Sequence, residues 1–290
     1  MRGRDVSRPH HQGQQSQSHH HGARPSPALS DLSITEFVAL SRLGFYPHGL
    51  VVGAAVFDAG WGDGLYGQTR EVTKVGQAMH AARSLAVGRM RKQAAEHNAE
   101  GVVGVRLDVE HHVWRGGHLV ARFLAVGTAI GFDASRAPDE IKNSPSLRVH
   151  GQPFTSDLSG QDFVTLLRAG YRPVSLAMGT CVYEIAPQDV TQYTMSWSNE
   201  EMVVCTRAYM EARETAMQNL AHDLFREVPE GSPDAATGIV GMTVTESGHA
   251  SWSNIVEYNA VGTAVTPLRA DDPRKAPQLP APHMVVPLDR

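Results

Sequence analysis

Three side chains that can bind metals occupy alternate positions near the middle of the chain: Asp108, Glu110 and His112. Residues two positions apart project from the same face of a β-strand, and His118 follows across a predicted turn. Carboxylate and imidazole groups together suit a borderline divalent cation such as zinc. The pattern therefore predicts a divalent-metal site with these four residues as candidate ligands. The polar, solvent-facing side of an ordinary strand would have the same pattern and is the alternative.

The chain contains none of the short motifs that mark common enzymes. It lacks a Gly-x-Ser-x-Gly elbow, a phosphate loop ending in Gly-Lys-Ser/Thr, a His-Glu-x-x-His pair and a dinucleotide fingerprint. The glycine-rich segment 58–69 holds two Asp but lacks the further oxygen ligands of a calcium loop, so we predict a flexible loop. We expect a non-enzymatic protein, with an enzyme site formed between subunits as the alternative.

Composition limits the partners and the compartment. Lys and Arg number 26 against 30 Asp and Glu, a net charge of −4, so a general attraction to nucleic acid or to an anionic membrane is missing. No run approaches the roughly 18 apolar residues of a membrane helix. Cys181 and Cys205 are the only cysteines, which excludes a disulfide framework and a cysteine-based metal cluster. We expect a cytoplasmic protein with no nucleic-acid partner and no membrane span.

An internal repeat determines the domain organisation. The motif Ser-Asp-Leu-Ser at 30–33 recurs 126 positions later at 156–159, and further matches align Ala86 with Ala216 at a spacing of 130. Such a series of matches in register predicts a tandem duplication.

The duplication divides the chain into five segments. We define repeat 1 as residues 29–135 and repeat 2 as residues 151–268, joined by a linker over 136–150 that contains Pro138 and Pro145. The His-rich tail 1–28 lacks periodic apolar residues, and the tail 269–290 is rich in proline. We expect both tails to be disordered.

Each repeat is predicted to follow the order α-β-α-β-β. A capping box, formed in repeat 1 by Ser33 and Glu36, begins a short helix that ends at a glycine such as Gly44. Apolar residues then recur every three or four positions over about 25 residues, which indicates one long helix. The small residues Ala86, on the long helix of repeat 1, and Ala216, on that of repeat 2, predict a close contact between helix and sheet. Cys205 aligns with an apolar position of the helix and is predicted to be a buried, inert thiol. The fold class is therefore α+β, with two tandem domains that each pack a three-stranded antiparallel sheet against one long and one short helix.

Repeat 1 resembles the bacterial YbjQ family, small cytoplasmic proteins described as heavy-metal-binding. The resemblance covers about 100 residues and rests on Gly-Ala-Ala-Val-Phe at 53–57, the glycine-rich loop 60–67, Ala82-Arg83, Asn-Ala-Glu-Gly-Val-Val-Gly-Val at 98–105, and Val-Gly-Thr-Ala at 126–129. It implies a dodecin-like fold that assembles as pentamers. Repeat 2 keeps the helix stripe and the glycine-containing strands but replaces the glycine-rich loop with residues 185–199.

Charge and fold together predict an assembly. Residues 69–98 carry a net charge of +4, whereas the equivalent residues 200–227 carry −3, so the two long helices could attract each other across an interface. Two independently solvated faces are the alternative. Because a small sheet covered on one face leaves the other open, we expect a homo-oligomeric, ring-forming scaffold or binding protein. Five chains would give ten domains. A divalent heavy-metal or small-ligand binding module is the alternative function.

Overall fold

The computed structural model describes residues 29–60, 67–113, 119–144, 146–194, 199–227, 232, 234–249 and 252–268. Both tails and most of the glycine-rich loop lie outside the described residues. Repeat 1 comprises helix α1 (Ile34–Arg42), strand β1 (Phe45–Gly60), the short strand β2 (Arg70–Glu71), helix α2 (Thr73–Glu96) and strands β3 (Gly101–Val113) and β4 (Leu119–Phe132).

The same order of long elements recurs in the second half of the chain. After the short helix α3 (Asp139–Lys142) and strand β5 (Phe154–Thr155) come helix α4 (Gly160–Arg168), strand β6 (Tyr171–Glu184), helices α5 (Pro187–Thr194) and α6 (Val203–Glu227), and strands β7 (Gly238–His249) and β8 (Trp252–Pro267). The linker is ordered where it is described, because Ile141 and Leu147 are buried.

Two sheets organise the fold, and each contains a strand from the other repeat. Sheet A has the order β1-β4-β3-β5, and sheet B has the order β2-β6-β8-β7. The long strands pair antiparallel, whereas β5 of repeat 2 pairs parallel with β3 of repeat 1. In return, β2 of repeat 1 pairs with β6 of repeat 2. The prediction of three strands per sheet missed this exchange, since a two-residue strand has no periodicity that a sequence can reveal.

The short helices begin and end as their sequences predict. Ser33 accepts a hydrogen bond from the amide of Glu36, whose carboxylate accepts from the amide of Ser33 at 2.7 Å, so the capping box is confirmed. Gly44 and Gly170 follow the two short helices with φ angles of +84° and +86°. Glycine adopts this left-handed conformation without steric cost, so the chain can turn directly into β1 and β6.

Each long helix packs tightly against the first long strand of its own repeat. A Cβ atom placed on Gly53 would lie 2.0 Å from the carbonyl oxygen of Ala86, and one on Gly179 would lie 2.0 Å from that of Ala216. Both alanines are fully buried, which confirms the predicted phase of the helices.

The elements stack in the layer order α6, sheet B, α2, sheet A. One side of α2 covers the inner face of sheet A, where Val51 and Ala55 are buried. The same helix also packs against Leu176 and Met178 of β6, while α6 covers the opposite face of sheet B. The stack therefore ends in a helix on one side and in a sheet face on the other. None of the described helices combines the length and the hydropathy needed to cross a membrane.

Candidate functional site: the outer face of sheet A

The outer face of sheet A, which points away from α2, carries two of the predicted metal ligands, Asp108 and Glu110. Strand alternation and cross-strand register place the following residues on it: Leu50, Val52, Ala54 and Val56 of β1, Arg122, Leu124 and Val126 of β4, and Arg106, Asp108 and Glu110 of β3. The charged residues thus lie on β3 and β4. The four residues of β1 form an apolar strip.

The two predicted carboxylates share this face, but one of them already faces a cation. Glu110 lies opposite Arg122 in the register, and Oε2 of Glu110 is 2.7 Å from Nη2 of Arg122. Asp108 lies opposite Leu124, and these residues together line a surface depression. Both partners of the ion pair are about half exposed, so water screens their attraction. A divalent cation at Glu110 would compete with the guanidinium of Arg122.

The two predicted histidine ligands are only partly located. His112 lies on β3 opposite Val120, although its side chain is outside the described residues, as is the whole of His118. Among the His, Cys, Asp and Glu side chains that the structure describes, no group of three is arranged to hold a metal ion. The structure therefore brings Asp108 and Glu110 onto one face and leaves the imidazole contribution as a prediction.

The equivalent face of sheet B is covered within the same chain. On β6, Leu176, Met178 and Val182 are at most 4% exposed because α2 packs over them. Their counterparts on β1, 126 positions earlier, are Leu50 (38% exposed), Val52 (42%) and Val56 (62%). In the sequence, β1 is apolar at both odd and even positions, and this pattern could have indicated that its second face is also a contact surface.

Polar contacts stabilise the covered face of sheet B. Nη1 of Arg83 on α2 donates to the hydroxyl of Thr180 at 2.5 Å, and Nη2 forms a buried ion pair with Glu257. At the edge of β6, the carboxylate of Asp223 on α6 accepts from the amide of Met178 at 3.1 Å and lies 3.2 Å from His80 of α2. These contacts join repeat 1 to repeat 2 and were not predicted from the sequence, because the partners are distant along the chain.

A segment of repeat 2 lies along the edge of sheet A. The amide of Gly104 donates to the carbonyl oxygen of Leu158, and the amide of Val105 donates to that of Ser156, both at 2.9 Å. In return, the amide of Ser156 donates to the carbonyl oxygen of Val102. The edge of a sheet exposes backbone amide and carbonyl groups that lack partners, and these three hydrogen bonds supply partners for two amides and one carbonyl of β3. The edge of β3 is thus closed by residues 154–158.

Neither cysteine has the features of a nucleophile. Burial, with the nearby charge of Glu71, raises the pKa of Cys181 to about 12, and a neutral thiol is a poor nucleophile. Burial also raises the pKa of Cys205. Cys205 is partly exposed, which corrects the prediction that this thiol is buried.

Parts of this sequence are shared with known proteins. Residues 47–133 match the YbjQ family model described as "putative heavy-metal-binding". The chain is also 40% identical over 237 residues to an encapsulin nanocompartment protein of Mycobacterium tuberculosis, an alignment that covers 81% of this chain and 84% of the relative. The chain therefore belongs to the same family as that encapsulin nanocompartment protein, and its first repeat carries a YbjQ-type region.

Proposed function

We propose that this protein is a non-enzymatic, cytoplasmic, homo-oligomeric scaffold or binding component that operates with an encapsulin nanocompartment. The observation that carries the proposal is the outer face of sheet A, where Leu50, Val52 and Val56 are exposed although their counterparts on β6 are buried. Exposed apolar surface of this kind marks interaction sites. The name of the mycobacterial relative supports the link to a nanocompartment.

In this proposal the chain contains two YbjQ-like domains. The recurrence of the element order and of the glycine-to-alanine contact between helix and strand supports it. The exchange of β2 and β5 links the two domains, since each repeat adds a short strand to the sheet of the other. Such modules assemble by repetition of one interface, and five chains would contribute ten domains.

Light scattering coupled to size exclusion tests the assembly. The expected result is a particle whose mass is a multiple of the 31.4 kDa chain, and a strict monomer at micromolar concentration would contradict the proposal. Co-expression with an encapsulin shell protein tests the association. We expect this chain to co-sediment with assembled shells, in contrast to an unrelated protein of equal size.

A second candidate function is weak binding of a divalent cation such as zinc on the outer face of sheet A. Asp108 and Glu110 share that face, and His112 occupies the next alternate position of β3. His118 would contribute from the turn. This function is compatible with the first, because a neighbouring subunit could supply further ligands.

A further inference from the structure

We propose that α6 of a second copy covers the outer face of sheet A, as α2 covers sheet B within one chain, so that copies join head to tail. This inference rests on the proposed oligomeric function and names the surfaces that carry it. Three kinds of contact join repeat 1 to repeat 2 within one chain. For each kind, the chain carries a second, equivalent pair of surfaces that do not meet each other, and we call this an unused pair.

The first unused pair consists of a helix side and a sheet face. On α2, the side against sheet B buries Gly76, Arg83 and Val87. The counterparts on α6, 130 positions later, are Thr206 and Arg213, which are exposed, and Met217, which is partly exposed.

Met210, the counterpart of His80, is 42% exposed on the same side of α6. The layer order places this helix side at one end of the stack and the apolar strip of β1 at the other, so one chain cannot bring them together. A second copy supplies the missing layer.

The second unused pair consists of an edge strand and a short segment. In repeat 1 the edge of β3 is closed by residues 156–158, whereas β7 is the terminal strand of sheet B in the described part of the chain. Met242 on β7 is 47% exposed, although its counterpart Val105 on β3 is 5% exposed. Residues 30–32 repeat the sequence Ser-Asp-Leu of 156–158. Asp31 contacts Thr128 and Arg106 of its own sheet A, just as Asp157 contacts Thr263 of sheet B. Residues 30–32 of one copy therefore match the β7 edge of another.

The third unused pair consists of two short helices. Within the chain, the amide of Gly160 at the start of α4 donates to the carboxylate of Glu36 on α1 at 2.9 Å. Phe163 and Val164 on α4 are buried in the core beside it. Their counterparts on α1, Phe37 and Val38, are 46% and 40% exposed. The free side of α1 thus offers the apolar residues that α4 uses inside the chain.

All three pairs have the same polarity. Within the chain, α2 of repeat 1 covers sheet B of repeat 2, and an edge segment of repeat 2 pairs with β3 of repeat 1. Between copies, α6 of repeat 2 would cover sheet A of the next copy, and residues 30–32 of that copy would pair with β7. Such an interface is heterologous, and it generates a ring when the rotation between copies closes. Because Glu257 and Thr180 are replaced by Arg122 and Ala54 in repeat 1, Arg213 of the second copy cannot reproduce the ion pair of Arg83.

Two singly blocked variants test the polarity. Val52→Asp blocks the sheet face and Met210→Asp blocks the helix, whereas Leu85→Asp on α2 is a matched control because Leu85 is also 42% exposed. We expect each blocked variant alone to shift to the mass of one chain, and the control to keep the wild-type mass. An equimolar mixture of the blocked variants should form a dimer and nothing larger, since one intact helix meets one intact sheet face.

The outcomes separate this junction from the proposed function. A monomeric wild-type chain would overturn both. If the wild type is oligomeric and Val52→Asp and Val56→Asp keep the same mass, the junction alone is overturned. A mixture that stays monomeric would contradict the head-to-tail arrangement. Thermal melts identify any variant that fails to fold, and Val56→Asp, at the most exposed position of the strip, is the second variant for that case.

Discussion

Arg83 on α2 and Glu257 on β8 form an ion pair across the two repeats, with side chains that are 3% and 0% exposed. The guanidinium carbon of Arg83 also lies 5.0 Å from the ring centroid of Phe123 in repeat 1. One side chain therefore contacts sheet B through hydrogen bonds and sheet A through a cation–π contact. A buried pair of this kind fixes how the two sheets face each other, because either charge left alone would be strongly destabilising.

Replacement of Arg83 by methionine should lower the free energy of unfolding by about 3 to 5 kcal/mol, since Glu257 then remains buried without its partner. Urea denaturation followed by circular dichroism measures the change. The double variant Arg83→Met/Glu257→Leu serves as the control and should recover most of the loss. If the double variant is as unstable as the single one, packing and not charge accounts for the effect.

Replacement of Ala86 or Ala216 by leucine should overpack the contact between helix and sheet and cost roughly 1 to 3 kcal/mol. Both alanines are fully buried, and their helix backbone lies directly on Gly53 or Gly179. Ala81 is exposed on α2, so Ala81→Leu is the matched control. Thermal melts compare the three variants, and wild-type melting of both buried variants would contradict the packing.

The two thiols should differ in reactivity at pH 8. Burial raises the pKa of Cys181 to about 12, so this group stays protonated and shielded, whereas Cys205 is partly exposed. Ellman's reagent should therefore modify at most one thiol per native chain, and both after denaturation. The native Cys205→Ser variant should give no signal. Fast modification of Cys181 in that variant would show that β6 opens.

The sequence predicted the local structure of each repeat more fully than the relation between the repeats. The capping box at Ser33, the left-handed Gly44 and the buried phase of Ala86 follow from short-range rules that act within a few residues. They need no knowledge of tertiary contacts.

The contacts between the repeats depend on residues far apart along the chain. Arg83 meets Glu257, and Gly104 meets Leu158, through docking that no periodicity encodes. Asp108 and Glu110 share one face of β3, as strand alternation predicts, and their role as metal ligands stays a prediction. The pairing of Glu110 with Arg122 depends on register, which the sequence alone did not specify.

Asp157, in the segment that closes sheet A, should make stability depend on pH. Burial raises its pKa above the usual value of 3.8, although the hydroxyl of Thr263 donates to its carboxylate. A carboxyl with a raised pKa in the folded state binds its proton more tightly when folded, so stability is lost as pH rises through the range above 3.8.

The variant Asp157→Asn keeps an oxygen acceptor for Thr263 and removes the charge. Its melting temperature relative to wild type should therefore increase from pH 3 to pH 7. Asp133→Asn is a control of opposite sign, because hydrogen bonds from Ser135 lower the pKa of Asp133, so its carboxylate stabilises the fold above its usual pKa and loses that effect on acidification. Parallel pH trends for the two variants would contradict the assignment.

Zinc binding on the outer face of sheet A should be weak and dependent on pH. Alternate residues of a strand lie about 6 to 7 Å apart, so Asp108, Glu110 and His112 cannot all reach one ion without His118 or a neighbouring subunit. Protonated imidazole cannot donate a lone pair to a metal, so affinity should fall as pH drops through the histidine range. Protein without residues 1–28 is the material to use, since that tail contains His19, His20 and His21.

Isothermal titration calorimetry with zinc then compares three variants. Glu110→Gln and His112→Ala should each weaken binding, whereas Arg122→Gln should strengthen it, because Glu110 is released from the 2.7 Å ion pair. If affinity increases with assembly, ligands from a neighbouring subunit contribute. Unchanged affinity in Glu110→Gln and His112→Ala would show that this face is a solvated strand surface, and the metal site would then have to be abandoned.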